Sequence, residues 1–589
     1  MKRIIFTILI LCAAFSAYAA EVEKIEFASG KLIAKFKDGI TLADIQQLLS
    51  QYGFSSAEPL FKQTPFSQTS FNNLKEKLIR EKQLRQGDSQ GIELPNLENI
   101  YVLTTNQPQA NILGMAQALS INPNVVYAEP NYLFKAHSQE LPNDYLVSHA
   151  PDGITWSKEI FGAQCEDLWA LKRIEADKVW EISQGKDMVV AVIDTGIDYN
   201  HPDLKENIWL NQREIPGNGI DDDQNGFIDD YYGYDFVADS ANPIDRFGHG
   251  THVAGIIAST GDNNIGIIGV APQAKLMSIK AMDDQGRGFI SDAAKAVRYT
   301  ADNGAQVINV SWGVSAESLV LIDVMHYAYL KGCVVVASVG NDNVDAQAQS
   351  PANIDTVIAV ATSDQKDEKY SASNYGRKID VFSPGVDIVS TMSDSSVLAG
   401  AKQRVANGYY ILNGTSVAAP YVSGTAALIL AKNKNLTADQ VRFALQMSAD
   451  RLASLPGRLN AFKAVEFDPA DYKVGISLKD KSIIKSDRIE IRGSASLGSE
   501  FEKYELSYQP KDKKENLPSG IIKSSTYSKQ DDFLGFWDTD SQKLPDGKYI
   551  LTLKAITREG LEIACSKEVI IANLNEPYKF MGSGWRQVK

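Results

Sequence analysis

Apolar positions along this chain change period from one region to the next, and each period predicts its own kind of element. Near the start, Lys31-Leu-Ile-Ala-Lys-Phe36 alternates like a half-buried strand and ends at the turn Asp38-Gly39. Thr41 to Tyr52 reads as a capped amphipathic helix, and a second helix is expected around Ala110 to Leu119. Asn122-Pro123-Asn124 then leads into the strand Val125-Val126-Tyr127-Ala128, and Asn99 to Thr105 adds another. The polar, charged stretch from Gln63 to Leu94 is expected as a loop or an exposed helix. Residues 20 to about 137 therefore read as a small α+β unit with no chemistry of its own.

From about 170 to 465 the pattern becomes alternating strands and helices. Met188 to Asp194, Val307 to Ser311, Cys333 to Val339 and Thr356 to Ala361 are nearly continuous apolar runs, which suit a parallel sheet covered on both faces. Helices between them have visible stops: Asp292 to Asn303 ends at Gly304, and Ala316 to Lys331 ends at Gly332. Thr437 with Gln440 predicts a capping box for a helix from Ala438 to about Met447. The expectation is an α/β fold: an open, mostly parallel sheet with right-handed crossovers and helices on both faces. After about 468 the helices stop. Some seven short β-rich runs with turns between them predict a C-terminal β-sandwich.

Composition narrows the setting. A chain of 589 residues exceeds one ordinary core, and 44% hydrophobic with 22% charged residues is a globular balance. The net charge of −14 argues against a nucleic-acid partner. Lys2-Arg3, an apolar run from Ile4 to Phe15 and Ala17-Tyr18-Ala19 read as a secretory signal peptide over 1–19. No other segment predicts a membrane span. The mature chain is expected to be secreted, whether extracellular, periplasmic or held at the cell surface. Without Cys12, the cysteines Cys165, Cys333 and Cys565 cannot all pair within one chain; Cys333, opening an apolar run, reads as a buried free thiol.

Four segments carry chemistry. Asp194 ends an apolar strand, His249 opens an Ala/Gly-rich helix in Gly248-His-Gly-Thr-His252, Asn341 follows another strand, and Ser416 sits in Gly414-Thr-Ser416 before a buried helix from Val417 to Leu430. Ligands of open α/β sheets bind beyond the C-terminal strand ends, where these residues are expected to meet. A serine hydroxyl needs a base to become a nucleophile, and a neutral imidazole is the usual one. Asp194 would orient that imidazole, while the Asn341 amide would donate to the oxyanion of an acyl-transfer intermediate. Pro420 falls in the first turn of the Ser416 helix, where proline is tolerated. Ser311-Trp312-Gly313 could pair in extended fashion with a substrate backbone. Rival readings are a zinc pair from His249 and His252, and Ser416 as a mere helix cap. Asp342 beside Asn341 would favour a basic side chain near the scissile bond, or could simply be solvated.

Those residues, with Asp194-Thr-Gly-Ile-Asp198 and Ser383-Pro384-Gly385, resemble the subtilisin-like serine peptidases, whose triad runs in the order Asp, His, Ser. The resemblance covers about 170 to 465. It implies a secreted serine endopeptidase acting on protein or peptide substrates, made as a self-processing zymogen. Residues 20–140 would be its inhibitory propeptide, cut within 132–150, with 141–467 the catalytic domain and 468–589 the β-sandwich. Independently of the resemblance, that last domain could aid secretion, take a surface or glycan partner, or select substrates. The alternative is a catalytically silent adhesion protein on the same scaffold, although no triad residue is missing.

The resemblance also implies a structural Ca2+ site in which Asp203 and Asn263 give side-chain ligands and Ile265 and Ile267 give carbonyls. Separately, Asp221, Asp223, Asn225, Phe227 and Asp229 occupy ligand positions one, three, five, seven and nine of an EF-hand-type loop with Gly226 at six. Tyr232 stands at position twelve in place of glutamate, so a closing ligand must come from elsewhere, such as Asp230. Without a cation the same segment is a solvated acidic turn.

Overall fold

Residues lining the central sheet alternate between two cores, and this alternation sets the architecture. A computed structural model describes residues 25–84, 94–107, 110–137, 168–398, 404–452, 456–469 and, with short gaps, 472–587. Within these, seven strands form one parallel sheet in the order Val381–Pro384, Val357–Ser363, Val334–Ser338, Val307–Val310, Val189–Asp194, Lys275–Lys280, Gly233–Asp235. Val190, Val192, Val334 and Val336 face the helices His249–Ala258 and Thr415–Lys432. Their sequence neighbours Ala191, Ile193, Val335 and Ala337 face Ile290–Asp302 and Leu319–Lys331. Burial on both faces is what continuous apolar runs require. The capping box of Thr437 and Gln440 is present, and Gly332 ends its helix in the left-handed region at φ 97°.

Three strands of this sheet escape the apolar pattern. Lys275–Lys280 is interrupted by Ser278, whose hydroxyl donates to Pro243 O at 3.0 Å, and by Lys280, whose Nζ donates to Thr195 O at 3.0 Å. Buried polar groups with such specific partners belong in a core, but a hydrophobic count misses them. Val381–Pro384 and Gly233–Asp235 are too short to register.

The N-terminal unit is a sheet of Phe27–Phe36 flanked by Ile100–Thr104 and Val125–Ala136, with Ser56–Pro59 at its edge. Helices Leu42–Gln51 and Ile112–Ser120 pack on one face through Leu32, Ala34, Ile45, Leu49, Ala116 and Leu119. The polar stretch after residue 63 contains the helix Pro65–Leu84. The other face rests on the helices Ile290–Asp302 and Leu319–Lys331 and caps them. Glu129 accepts from Ser318 Oγ (2.9 Å), Leu319 N (2.7 Å) and Val320 N (3.2 Å), and Asn131 Oδ1 accepts from Ser291 N at 3.0 Å. The bonds from Leu319 N, Val320 N and Ser291 N each occupy an amide at a helix N-terminus that has no partner within its own helix. Lys35 pairs with Asp323 at 2.8 Å on the same face.

The C-terminal unit stacks a three-stranded sheet on a five-stranded one around Trp537, Tyr504, Tyr549 and Leu551. It meets the parallel-sheet unit through an apolar seam of Phe443 with Leu497, Ala555 and Ile563. Among the described residues no helix is long and apolar enough to cross a membrane. The signal peptide, Cys165 and residues 138–167 lie outside the described residues.

Glu129→Ala would strand two helix-terminal amides, a cost of about 1–3 kcal/mol. Hydrogen exchange at Leu319 and Val320 should accelerate accordingly, with the amides of Val334–Ser338 unchanged.

Candidate active site

Asp194 terminates its strand with no exposure to solvent, so its charge must be met inside the protein. Its Oδ1 lies 2.7 Å from His249 Nδ1 and accepts from Thr195 N at 2.8 Å. A carboxylate can only accept here, so Nδ1 carries the proton and Nε2 is left as the basic lone pair. His249 is the first residue of its helix. The helix start is held by Asp245, which sequence reasoning did not single out. Its Oδ1 accepts from Phe247 N (2.9 Å) and Gly248 N (2.8 Å), and its Oδ2 accepts from Thr251 N (2.9 Å) and Thr251 Oγ1 (2.6 Å). An acid three residues before a helix cap was the available signal. Burial pushes the Asp245 carboxyl up, and these hydrogen bonds pull it back.

His252 is separately employed. Its Nε2 lies 3.1 Å from both Ile388 O and Tyr410 O, so Nε2–H donates to these carbonyls. Burial pushes its pKa down to about 3, keeping the ring neutral. The two imidazoles therefore have different partners and do not converge on one ligand.

Ser416 is the second residue of the helix Thr415–Lys432 and is fully buried. Pro420 lies inside that helix, one turn beyond the first-turn position expected for it. Its missing N–H leaves the Ser416 carbonyl without its usual i+4 donor. Ser311 Oγ supplies one at 2.8 Å. Asn309 Nδ2 donates to Ser311 Oγ at 2.9 Å, and Ser423 Oγ donates to Asn309 Oδ1 at 2.8 Å, tying the helix to the sheet. Ser416 Oγ, His249 Nε2 and Asp194 Oδ2 are all buried without a hydrogen-bond partner. The serine–imidazole bond is thus not made in this structure, a looseness common before substrate chemistry begins.

Asn341 Oδ1 accepts from Thr415 N at 2.9 Å, which aims its amide across Gly414. Asn341 Nδ2 donates to the carbonyl of His137, the last described residue of the N-terminal unit. Gly414 has φ 137°, and a Cβ there would sit 2.7 Å from both Asn341 Nδ2 and His137 O. Only glycine leaves that space open.

The segment leading to His137 lies in a groove. Trp312 pairs with Ala136 and Gly313 with Lys135 on one side, and Arg287–Phe289 pairs with Leu133–Lys135 on the other, all antiparallel. His137 N donates to Ser311 O at 3.1 Å. Phe134 is 1% exposed and stacks on Trp312 with ring centroids 4.1 Å apart. Ser311, Trp312 and Gly313 thus hold an extended chain whose carbonyl lies next to Asn341.

Two regions were candidates for calcium. Asp203 is buried; its oxygens accept from Asn263 Nδ2 (2.7 Å), Ile267 N (2.9 Å) and Tyr409 OH (3.2 Å). Ile265 N donates to Asn263 Oδ1 at 2.9 Å. These residues come together, and both Asp203 oxygens accept hydrogen bonds from protein donors. The acidic loop differs. Carboxylate oxygens of Glu214, Asp221 and Asp223 lie within 4.8 Å of one another. Glu214 is 4% exposed, yet its Oε2 has no hydrogen-bond partner. Three clustered acids with one orphaned buried oxygen fit a hard cation. Glu214 lies before the loop, outside any EF-hand register, and so was not expected.

Other residues of that register also have protein partners. Asp229 has φ 55° and turns its carboxylate to Asn218 N (3.0 Å) and Gly219 N (2.9 Å). Asn225 Oδ1 accepts from Phe227 N at 2.8 Å, while its Nδ2 donates to Asp230 Oδ2 at 2.8 Å. Phe227 packs its ring on Tyr234, Phe236 and Tyr299. Asp230, the suggested closing ligand, is instead bonded to Tyr299 OH at 2.5 Å.

Comparison with known proteins agrees with this geometry. The subtilase family profile matches residues 185–467. A thermophilic serine proteinase of Bacillus sp. (strain AK1) is 36% identical over 363 residues, 61% of this chain and 77% of that protein. Thermitase of Thermoactinomyces vulgaris is 35% identical over 301 residues, 50% of this chain and 95% of its own length. Fervidolysin of Fervidobacterium pennivorans is 32% identical over 382 residues, 61% of this chain and 51% of its own.

Asp245→Ala removes the acceptor for three backbone amides and a hydroxyl. Losing them should destabilise the fold by about 1–3 kcal/mol, measurable as a lower midpoint in thermal unfolding.

Proposed function

The chain belongs to the subtilase family of serine endopeptidases, and on that premise we propose that it hydrolyses peptide bonds with Ser416 as nucleophile, His249 as general base and Asp194 as the group orienting the imidazole. The observation that carries this reading is the His137 carbonyl, held by Asn341 Nδ2 beside the Ser416 helix start. Ser416 Oγ attacks such a carbonyl while His249 Nε2 takes its proton. Charge then collects on the carbonyl oxygen, where the Asn341 amide and the helix N-terminus stabilise it. His249 returns the proton to the leaving amine, the Ser416 ester remains, and water delivered by the same base releases it.

The chain in the groove is the protein's own. Residues 20–137 act as an inhibitory propeptide, removed by cleavage of the His137–Ser138 bond, a boundary slightly earlier than the one near 140 expected from sequence. The segment enters by edge pairing, so extended or unfolded chains are the natural substrates. Secretion follows from the N-terminal segment. Glu214, Asp221 and Asp223 would hold Ca2+, which when bound supplies a structural cross-link between Glu214 and the loop. The residues themselves keep their carboxylates turned toward one another behind Arg213, whose NH2 lies 3.0 Å from Asp223 Oδ2.

The purified wild-type chain should yield a product beginning at Ser138 by mass spectrometry, and Ser416→Ala should stay at full length. Equal shortening of both proteins would sink the assignment. In subtilisin itself, the reference case for this effect, removing one oxyanion donor costs about 10²–10³ in kcat; Asn341→Ala should show a loss of that order with little change in KM. EGTA should lower the thermal midpoint of the wild type and leave that of Glu214→Gln nearly unmoved.

A further inference from the structure

The side chain of His137 lies in a pocket whose walls are specific to it. Its Nδ1 makes a 2.7 Å hydrogen bond with Ser338 Oγ. Ser338 ends the strand Val334–Ser338 and is fully buried. Its hydroxyl interrupts an otherwise apolar run, at the one point where that strand meets the groove. On the other side the imidazole rests on Gly313. A Cβ at Gly313 would come within 2.7 Å of the ring Cε1 and 2.9 Å of Nε2, so any larger residue there would fill the place of the ring. One wall therefore fixes the thickness of the occupant, and the other offers a hydrogen bond at its δ position.

Charge selects further. Burial and the neighbouring His249 push the His137 imidazole down to about 3. Ser338 and Gly313, which touch the ring, are both uncharged and would not balance a lysine or arginine head. A phenylalanine or leucine would leave the Ser338 hydroxyl buried and unpaired, and sites built around a hydrogen bond strongly reject analogues lacking it.

We propose that Ser338 and Gly313 make the enzyme selective for a neutral histidine immediately before the scissile bond. The proposal rests on the endopeptidase reading and adds a substrate class to it. Ser338 is the specificity-determining residue: it touches the side chain of the substrate, while the reacting atoms are handled by Ser416, His249 and Asn341.

The test uses the mature form of the full chain and three fluorogenic peptides, acetyl-Leu-Phe-Lys-Ala-X-aminomethylcoumarin with X as His, Phe or Arg. For the wild type at pH 8, kcat/KM for His should exceed those for Phe and Arg by about ten- to hundredfold, as expected for one buried hydrogen bond made or lost. In Ser338→Ala the His-to-Phe ratio should fall about tenfold. Because the pocket takes the neutral ring, the wild-type ratio should also fall as pH drops below the ordinary imidazole value of about 6.5. Taking the ratio to the Phe peptide removes the effect of pH on the enzyme's own chemistry. A wild type that prefers Phe or Arg, or a ratio unmoved by Ser338→Ala, overturns the proposal. The wild-type panel decides the matter even if the variant does not fold. No cleavage of any peptide, with Ser416 still labelled by a fluorophosphonate, overturns the specificity alone; no cleavage and no label overturn the endopeptidase reading with it.

Discussion

A carboxylate at the end of a central strand, closed off from water, is the constraint around which this molecule is arranged. Asp194 cannot be left unpaired, because removing a charge from water without compensation costs several kcal/mol. Its partner is His249, and a partner on a helix's first residue brings the whole helix N-terminus against the strand end. That approach in turn needs Asp245 to occupy the amides it leaves bare. The reactive geometry and the stability of the sheet–helix layer are therefore one problem with one solution.

The Ser416 side of the cleft follows a similar logic through an omission. A proline one turn into a buried helix deletes one backbone donor, and the sheet repays it through Ser311 Oγ. The carbonyl of Ser416 is thereby bonded to Ser311, next to the strand Val307–Val310, instead of to its own helix. Asn309 and Ser423 complete the connection inside the core, where a fully satisfied polar network rigidifies its surroundings.

How much of this the sequence discloses depends on the reach of each interaction. Strands buried on both faces are visible as apolar runs, and Thr437 with Gln440 is visible as a cap, because those signals are local. Asp194, His249, Asn341 and Ser416 stand out because each sits at a junction of strand or helix with a glycine within two residues. Glu129, Asp245, Asn309 and Glu214 do not, since their partners are fixed only by the tertiary fold: Ser318 lies 189 residues from Glu129. The EF-hand spacing misleads for the same reason. It assigns Asp229 to the cluster by its number, while a left-handed backbone at φ 55° turns that carboxylate toward Asn218 and Gly219.

The seam between Phe443 and the C-terminal sandwich has a consequence for how the cleft meets its surroundings. Phe443 belongs to the helix Ala438–Met447, which packs within the catalytic core, and its apolar neighbours Leu497, Ala555 and Ile563 come from the sandwich. A module on a flexible tether raises local concentration by an amount set by linker length. A module fused through shared core residues sets an angle. The seam thus ties the sandwich to the same helix that packs on the central sheet, so Phe443 takes part in both contacts.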